Sequence, residues 1–123
     1  MAEGRRQAAE RRGRKGESAA ALVLFIRGYR ILERRVRTPV GEIDIIALKD
    51  KTVVFVEVKS RTRRDDAIAS VTPQAWQRIA RAAEYWMARH PSFSDYGWRY
   101  DIVAVSATNP PHHIRDAWRP GMA

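Results

Sequence analysis

The sequence predicts an α/β fold in which helices flank a central mixed β-sheet, in the order helix, three strands, helix, strand. Three observations predict it. Two stretches, near residues 14–28 and 72–90, carry apolar residues at helical spacing with recognisable stop or start signals. Four others are rich in β-branched and aromatic residues, and a tight polar turn at Asp50-Lys51 joins two of them. At 123 residues the chain can bury one real core, but not two.

Residues 1–13 are Arg-rich and polar, a basic arm expected to be disordered, and a single domain spans 14–123. "GESAAALVLFIRGY" is apolar almost all round after Glu17, so this helix is expected to pack between layers. Gly28 supplies its stop. "YRILERRVR" reads as a strand of mixed burial near a sheet edge, broken by Thr38-Pro39. Glu42 to Leu48 and Thr52 to Ser60 follow as a strand pair, and "RTRRDDAIAS" reads as a mobile charged loop. The second helix has Thr72 as N-cap, Pro73 at its first position and His90-Pro91 at its end. Its apolar stripe is Trp76, Ile79, Ala80, Ala83, Trp86 and Met87, with Arg78, Arg81 and Glu84 on the other side. In the last strand, Trp98 to Ser106, one face carries Trp98, Tyr100, Ile102 and Ala104. The tail from Asn109 reads as irregular, with "HIRDAW" at most a short element and His112-His113 as unstructured surface.

Composition narrows the function classes. With no cysteine, disulfides, thiolate zinc sites and cysteine nucleophiles are excluded, which fits a cytoplasmic protein. The apolar run Ala19 to Ile26 is far short of the ~20 residues that span a bilayer, and no cleavage site follows it. Lys and Arg number 23 against 14 Asp and Glu, a net charge of +9. That excess favours a polyanion as partner, nucleic acid first, although an anionic membrane or a ribosome also suits it.

The chemistry concentrates in "GEIDIIALKDKTVVFVEVKSR", where Asp44, Glu57 and Lys59 interrupt strands otherwise suited to burial. Val54, Val56 and Val58 share one face of the second strand, and Val53, Phe55, Glu57 and Lys59 the other. Glu57 and Lys59 are then about 6.5–7 Å apart. If Asp50 and Lys51 are the central turn residues, Lys49 pairs with Thr52, Asp44 sits opposite Glu57, and Glu42 opposite Lys59. A slip of one residue instead puts Asp44 opposite Val56, on the other face.

Converging carboxylates repel, and one binds a proton unless a cation is present. A hard divalent ion, Mg²⁺ or Mn²⁺, resolves the conflict with one or two carboxylates plus a substrate phosphate. Lys59 is then placed to orient a water or stabilise developing charge. An isolated E-x-K is ordinarily an exposed strand end. The Val/Phe strand, the second acid and the basic charge favour a site here.

These features resemble the PD-(D/E)xK nuclease superfamily, with its restriction-endonuclease-like fold, and more closely the YraN-like family of bacterial proteins. The likeness runs from about Gly13 onward, on "GRKGESAA", "GEIDIIA", "VVFVEVKSR", "RIARAAEYW" and "YDIVAV". It implies that Asp44 is the first strand acid and that Glu57 and Lys59 form the (D/E)-x-K, with Asp44 and Glu57 holding metal. It implies for Glu17 an auxiliary catalytic acid and a direct or water-mediated metal partner. The physical alternative is a helix-start glutamate favoured by the dipole. The second helix departs from the pattern: where similar chains tend to carry Lys-Gln, this one has Ala75-Trp76, leaving Gln74 and Gln77 as substitutes. The superfamily spans restriction enzymes, repair nucleases, junction resolvases and proteins without activity, so fold analogy does not choose among them.

Arg61, Arg63 and Arg64 follow the acidic strand and read either as a phosphate-gripping rim or as a solvated loop. Arg14, Lys15 and the basic arm would add salt-sensitive affinity. Trp76 and Trp86 belong to the core, while Trp118 closes a core edge or a subunit contact. The expectation is a Mg²⁺-dependent nuclease acting on nucleic acid, DNA first, with no membrane partner and with a homodimer as one way to address two strands. Its rival is a binding module with a vestigial pocket.

Overall fold

The computed structural model describes residues 16–122; the arm, Arg14 and Lys15 lie outside them. Helix α1 covers 16–26. It is followed by β1 (Arg30–Thr38), β2 (Gly41–Lys49), β3 (Thr52–Ser60), α2 (Arg64–Ala69), α3 (Pro73–Ala88), a 3₁₀ turn (Pro91–Phe93), β4 (Gly97–Val105) and β5 (His112–Trp118). The strands form one mixed sheet in the order β1-β2-β3-β4-β5. Only the β3–β4 pair is parallel. The predicted α/β order is present, with α2 and β5 added to it.

α1 ends as its glycine predicts. Gly28 adopts φ +89°, its N–H bonds the Phe25 carbonyl, and the Tyr29 N–H bonds the Leu24 carbonyl. These two bonds satisfy carbonyls that the helix would otherwise leave bare. Ala20 and Leu24 bury against Ile45, Ala47, Val54, Val56, Val103 and Val105. The expectation that α1 packs between layers is corrected: Leu22, Phe25 and Ile26 are 58%, 69% and 73% exposed. A helix apolar all round does not declare which side is covered, and only the sheet side is covered among the described residues.

α3 takes the opposite face. The Thr72 side chain accepts from the Ala75 N–H at 3.1 Å, Pro73 occupies the first turn, and all six predicted stripe residues are buried. They pack on Val53, Phe55, Tyr100 and Ile102. Trp118 closes this core, its ring stacked on Trp76 with centroids 5.5 Å apart. Gly41 permits the close approach of α3 to the hairpin, because a Cβ there would lie 2.9 Å from the Arg78 carbonyl oxygen.

Two segments expected to be irregular are ordered. "RDDAIA" forms α2, with Asp65 and Asp66 in a first turn whose dipole favours them and Ala67 buried beneath. β5 makes the sheet edge opposite β1. His113, expected at an unstructured surface, has a side chain only 1% exposed.

Candidate active site

The β2–β3 ladder runs from Lys49↔Thr52 to Ile45↔Val56, the register that the Asp50-Lys51 turn predicts. One step further, Asp44 replaces backbone pairing with a side-chain bond: its Oδ2 accepts from the Val58 N–H at 2.8 Å. The Asp44 carboxyl lies close enough to Glu57 for its hydrogen bonding and charge to act on that side chain. The predicted convergence is therefore present.

A local irregularity in facing accompanies it. Ile43 belongs to the α3 side of the core and Ile45 to the α1 side, although residues two apart in a strand ordinarily share a face. The alternation breaks at Asp44. In β1 it breaks at the matching place, where Arg35, between the pairs Arg34↔Ile45 and Val36↔Ile43, adopts φ +53°. β3 keeps strict alternation, so Phe55, Glu57 and Lys59 stay on the α3 side.

Glu42, Glu57 and Lys59 line an open pocket of about 390 Å³ with Gly41, Ala75, Arg78 and Ile79. Burial first, then the hydrogen bond and charge of Asp44, push the Glu57 carboxyl up to about 9; Lys59 pulls it down only in part. Two carboxyl groups thus meet beside one ammonium, and Glu57 keeps its proton well above the ordinary carboxyl range. This donor set fits a hard divalent ion, which would replace that proton and take its remaining ligands from water or phosphate. Among the described residues, no three His, Cys, Asp or Glu side chains gather as a complete metal cage.

A stability effect follows from the Glu57 value, which lies above the ordinary 4.5. The metal-free folded protein binds a proton that the unfolded chain releases, so this contribution is full below pH 4.5 and lost as pH rises towards 9. Glu57→Gln is expected to stabilise the metal-free protein by about 1–2 kcal/mol at mildly alkaline pH and to flatten the profile. Thermal unfolding across pH in EDTA measures it; an unchanged slope would contradict the retained proton.

Glu17 does not join the pair. It is 8% exposed, and its Oε2 accepts from Arg35 Nε at 2.7 Å. Its Oε1 is buried without a hydrogen-bond partner among the described residues. Glu17 therefore anchors Arg35, the β1 residue at the break in alternation. Arg61, Arg63 and Arg64 are exposed beyond the end of β3, and Arg61 returns a bond to the Ser60 carbonyl. Arg78, read from sequence as lying away from the apolar stripe, is part of the lining of the acidic pocket.

A second strand acid escaped attention. Asp101 is fully buried and accepts two bonds from Arg99, at 2.9 and 2.8 Å, and one from the Asp116 N–H at 2.9 Å. His113 Nε2 lies 2.7 Å from it, and Arg99 also donates to the Tyr29 hydroxyl. The signal was available: Asp101 interrupts "YDIVAV" just as Asp44 interrupts "GEIDIIA". Asp101 is surrounded by protein donors, whereas Glu57, with Asp44 beside it, lines an open pocket.

Fold and site together define a small α/β protein with a carboxylate–lysine cluster where a hairpin opens. Residues 16–105 match the uncharacterised protein family UPF0102, and the chain belongs to this YraN-like family. It is 48% identical over 109 residues to a UPF0102 protein of a Bradyrhizobium species, covering 89% of this chain and 80% of that protein. A Bradyrhizobium diazoefficiens UPF0102 protein is 45% identical over 113 residues, and one from Parvibaculum lavamentivorans 40% over 113; each alignment covers 92% of this chain and 85% of the relative. No helix among the described residues is long and apolar enough to cross a membrane.

Proposed function

We infer that the protein is a Mg²⁺- or Mn²⁺-dependent nuclease of the restriction-endonuclease-like kind, hydrolysing phosphodiester bonds in DNA or structured nucleic acid. The observation that carries this reading is the approach of Asp44 to Glu57, which lines an open pocket together with Lys59. Asp44 and Glu57 would hold the ion, which supplies Lewis acidity and an activated water when bound. The Val58 N–H fixes the Asp44 carboxylate, so this ligand is oriented before any substrate arrives. Lys59 donates to the attacking water or to the oxygen on which charge develops. Glu17 acts through Arg35 as a positioning residue. Arg61, Arg63 and Arg64 grip phosphates beyond the pocket, and the net charge of +9 supports a polyanionic substrate.

The test is cleavage of labelled branched, duplex and single-stranded DNA and RNA with Mg²⁺, Mn²⁺ or EDTA. Asp44→Ala and Lys59→Ala, purified identically, run beside the unaltered chain. Metal-dependent cleavage lost in both variants supports the reading and names the substrate. Cleavage surviving equally in both assigns it elsewhere. Salt-sensitive binding by all three without cleavage replaces the nuclease with a binding module.

A further inference from the structure

A groove of about 600 Å³ opens at the other end of β3, where β3 and β4 begin. Thr52, Gly97, Trp98, Tyr100, Trp118 and Arg119 contribute to its wall, and it shares no lining residue with the carboxylate pocket. Thr52 and Glu57 are five residues apart on one strand, about 16 Å. The two sites are therefore distinct.

Three features give the groove a chemistry. Trp98 is 42% exposed, yet it stands on a strand with its ring supported by Phe55 at 5.8 Å, making a fixed aromatic surface rather than a mobile loop side chain. Trp118, also in the wall, is 4% exposed, and its indole Nε1–H is buried without an acceptor among the described residues. The nearby arginines are occupied: Arg99 binds Asp101 through two bonds, and Arg119 binds Asp116. The groove is thus no phosphate clamp. It offers a flat π-surface, set in a chain of net charge +9.

We propose that this groove is a base-binding site for single-stranded nucleic acid, with one nucleobase laid on Trp98. A base is the flat aromatic group that arrives attached to phosphates, and the basic exterior attracts those phosphates without the groove having to bind them. Aromatic platforms of this kind accept any base, because every base has a π-face. Neither metal nor cleavage enters, so the assignment stands apart from the carboxylate pocket.

Fluorescence anisotropy in EDTA tests it, with a short labelled single-stranded oligonucleotide, an abasic strand of the same length, and a nucleoside monophosphate as competitor. The full chain is expected to bind the base-bearing strand about ten-fold more tightly than the abasic one. Trp98→Ala abolishes the difference while leaving abasic binding unchanged, and Trp98→Phe retains most of it. Competition by the monophosphate at matched nucleotide concentration would identify a free nucleotide as the source of the same chemistry. Equal affinity for the two strands, or indifference to Trp98→Ala, overturns the proposal.

Discussion

Removing Asp44 and Lys59 together is expected to cost no more catalysis than removing either one. On the proposed nuclease reading, each single substitution, Asp44→Asn or Lys59→Ala, should lower phosphodiester cleavage by about 100- to 1,000-fold. Groups that act as a unit lose their joint contribution when any member is removed, so the double variant should fall to the same floor rather than to the product. Their mutual influence supports a unit: Asp44 raises the Glu57 carboxyl and Lys59 lowers it. Single-turnover rates at saturating Mn²⁺ make the comparison, with thermal unfolding confirming that each variant is folded. Multiplicative losses would mean that Lys59 works on another part of the substrate, away from the carboxylate pair.

Asp101→Ala is expected to have the largest effect on stability, about 3–5 kcal/mol. The substitution leaves Arg99 and His113 without the carboxylate they share and strips the Asp116 N–H of its acceptor. Burial alone would raise the Asp101 carboxyl, but the bonds from His113, Arg99 and the Asp116 N–H outweigh it and hold the group below the ordinary 3.8. A depressed carboxyl contributes stability above its unfolded value and loses it as pH falls through the folded one. The unaltered protein should therefore show an acid step below pH 3.8, which Asp101→Ala removes. Urea unfolding at neutral and acid pH measures both. A loss below about 1 kcal/mol would show that solvent replaces the network.

Local chemistry was legible in the sequence. The Asp50-Lys51 turn and the alternation of β3 offered the register that brings Asp44 to Glu57 without excluding a slip of one residue, and Thr72-Pro73 with its apolar stripe gave α3. What stayed hidden depends on contacts far apart in the chain. Glu17 meets Arg35 18 residues away, and His113 meets Asp101 12 residues away; neither spacing follows a period that a pattern can reveal. The left-handed Arg35 is hidden for a different reason. Arginine carries no preference for that conformation, so the break in alternation has no residue to announce it. α2 was read as loop because its charges dominate the segment, while the one residue that docks it, Ala67, is small.

The two margins of the sheet bear on the crowded conditions in which proteins meet. Along β1, Arg30, Glu33, Arg34, Arg35 and Arg37 all stand in solvent, and β5 is bent at Asp116, which adopts φ +54°. A second copy laid alongside β1 would bring four guanidinium groups against four more, and the bend denies β5 a straight row of donors and acceptors. Ribbon-like growth is blocked at both ends. Resistance to edge-to-edge pairing is thus built into the same strand that carries Arg35 to Glu17.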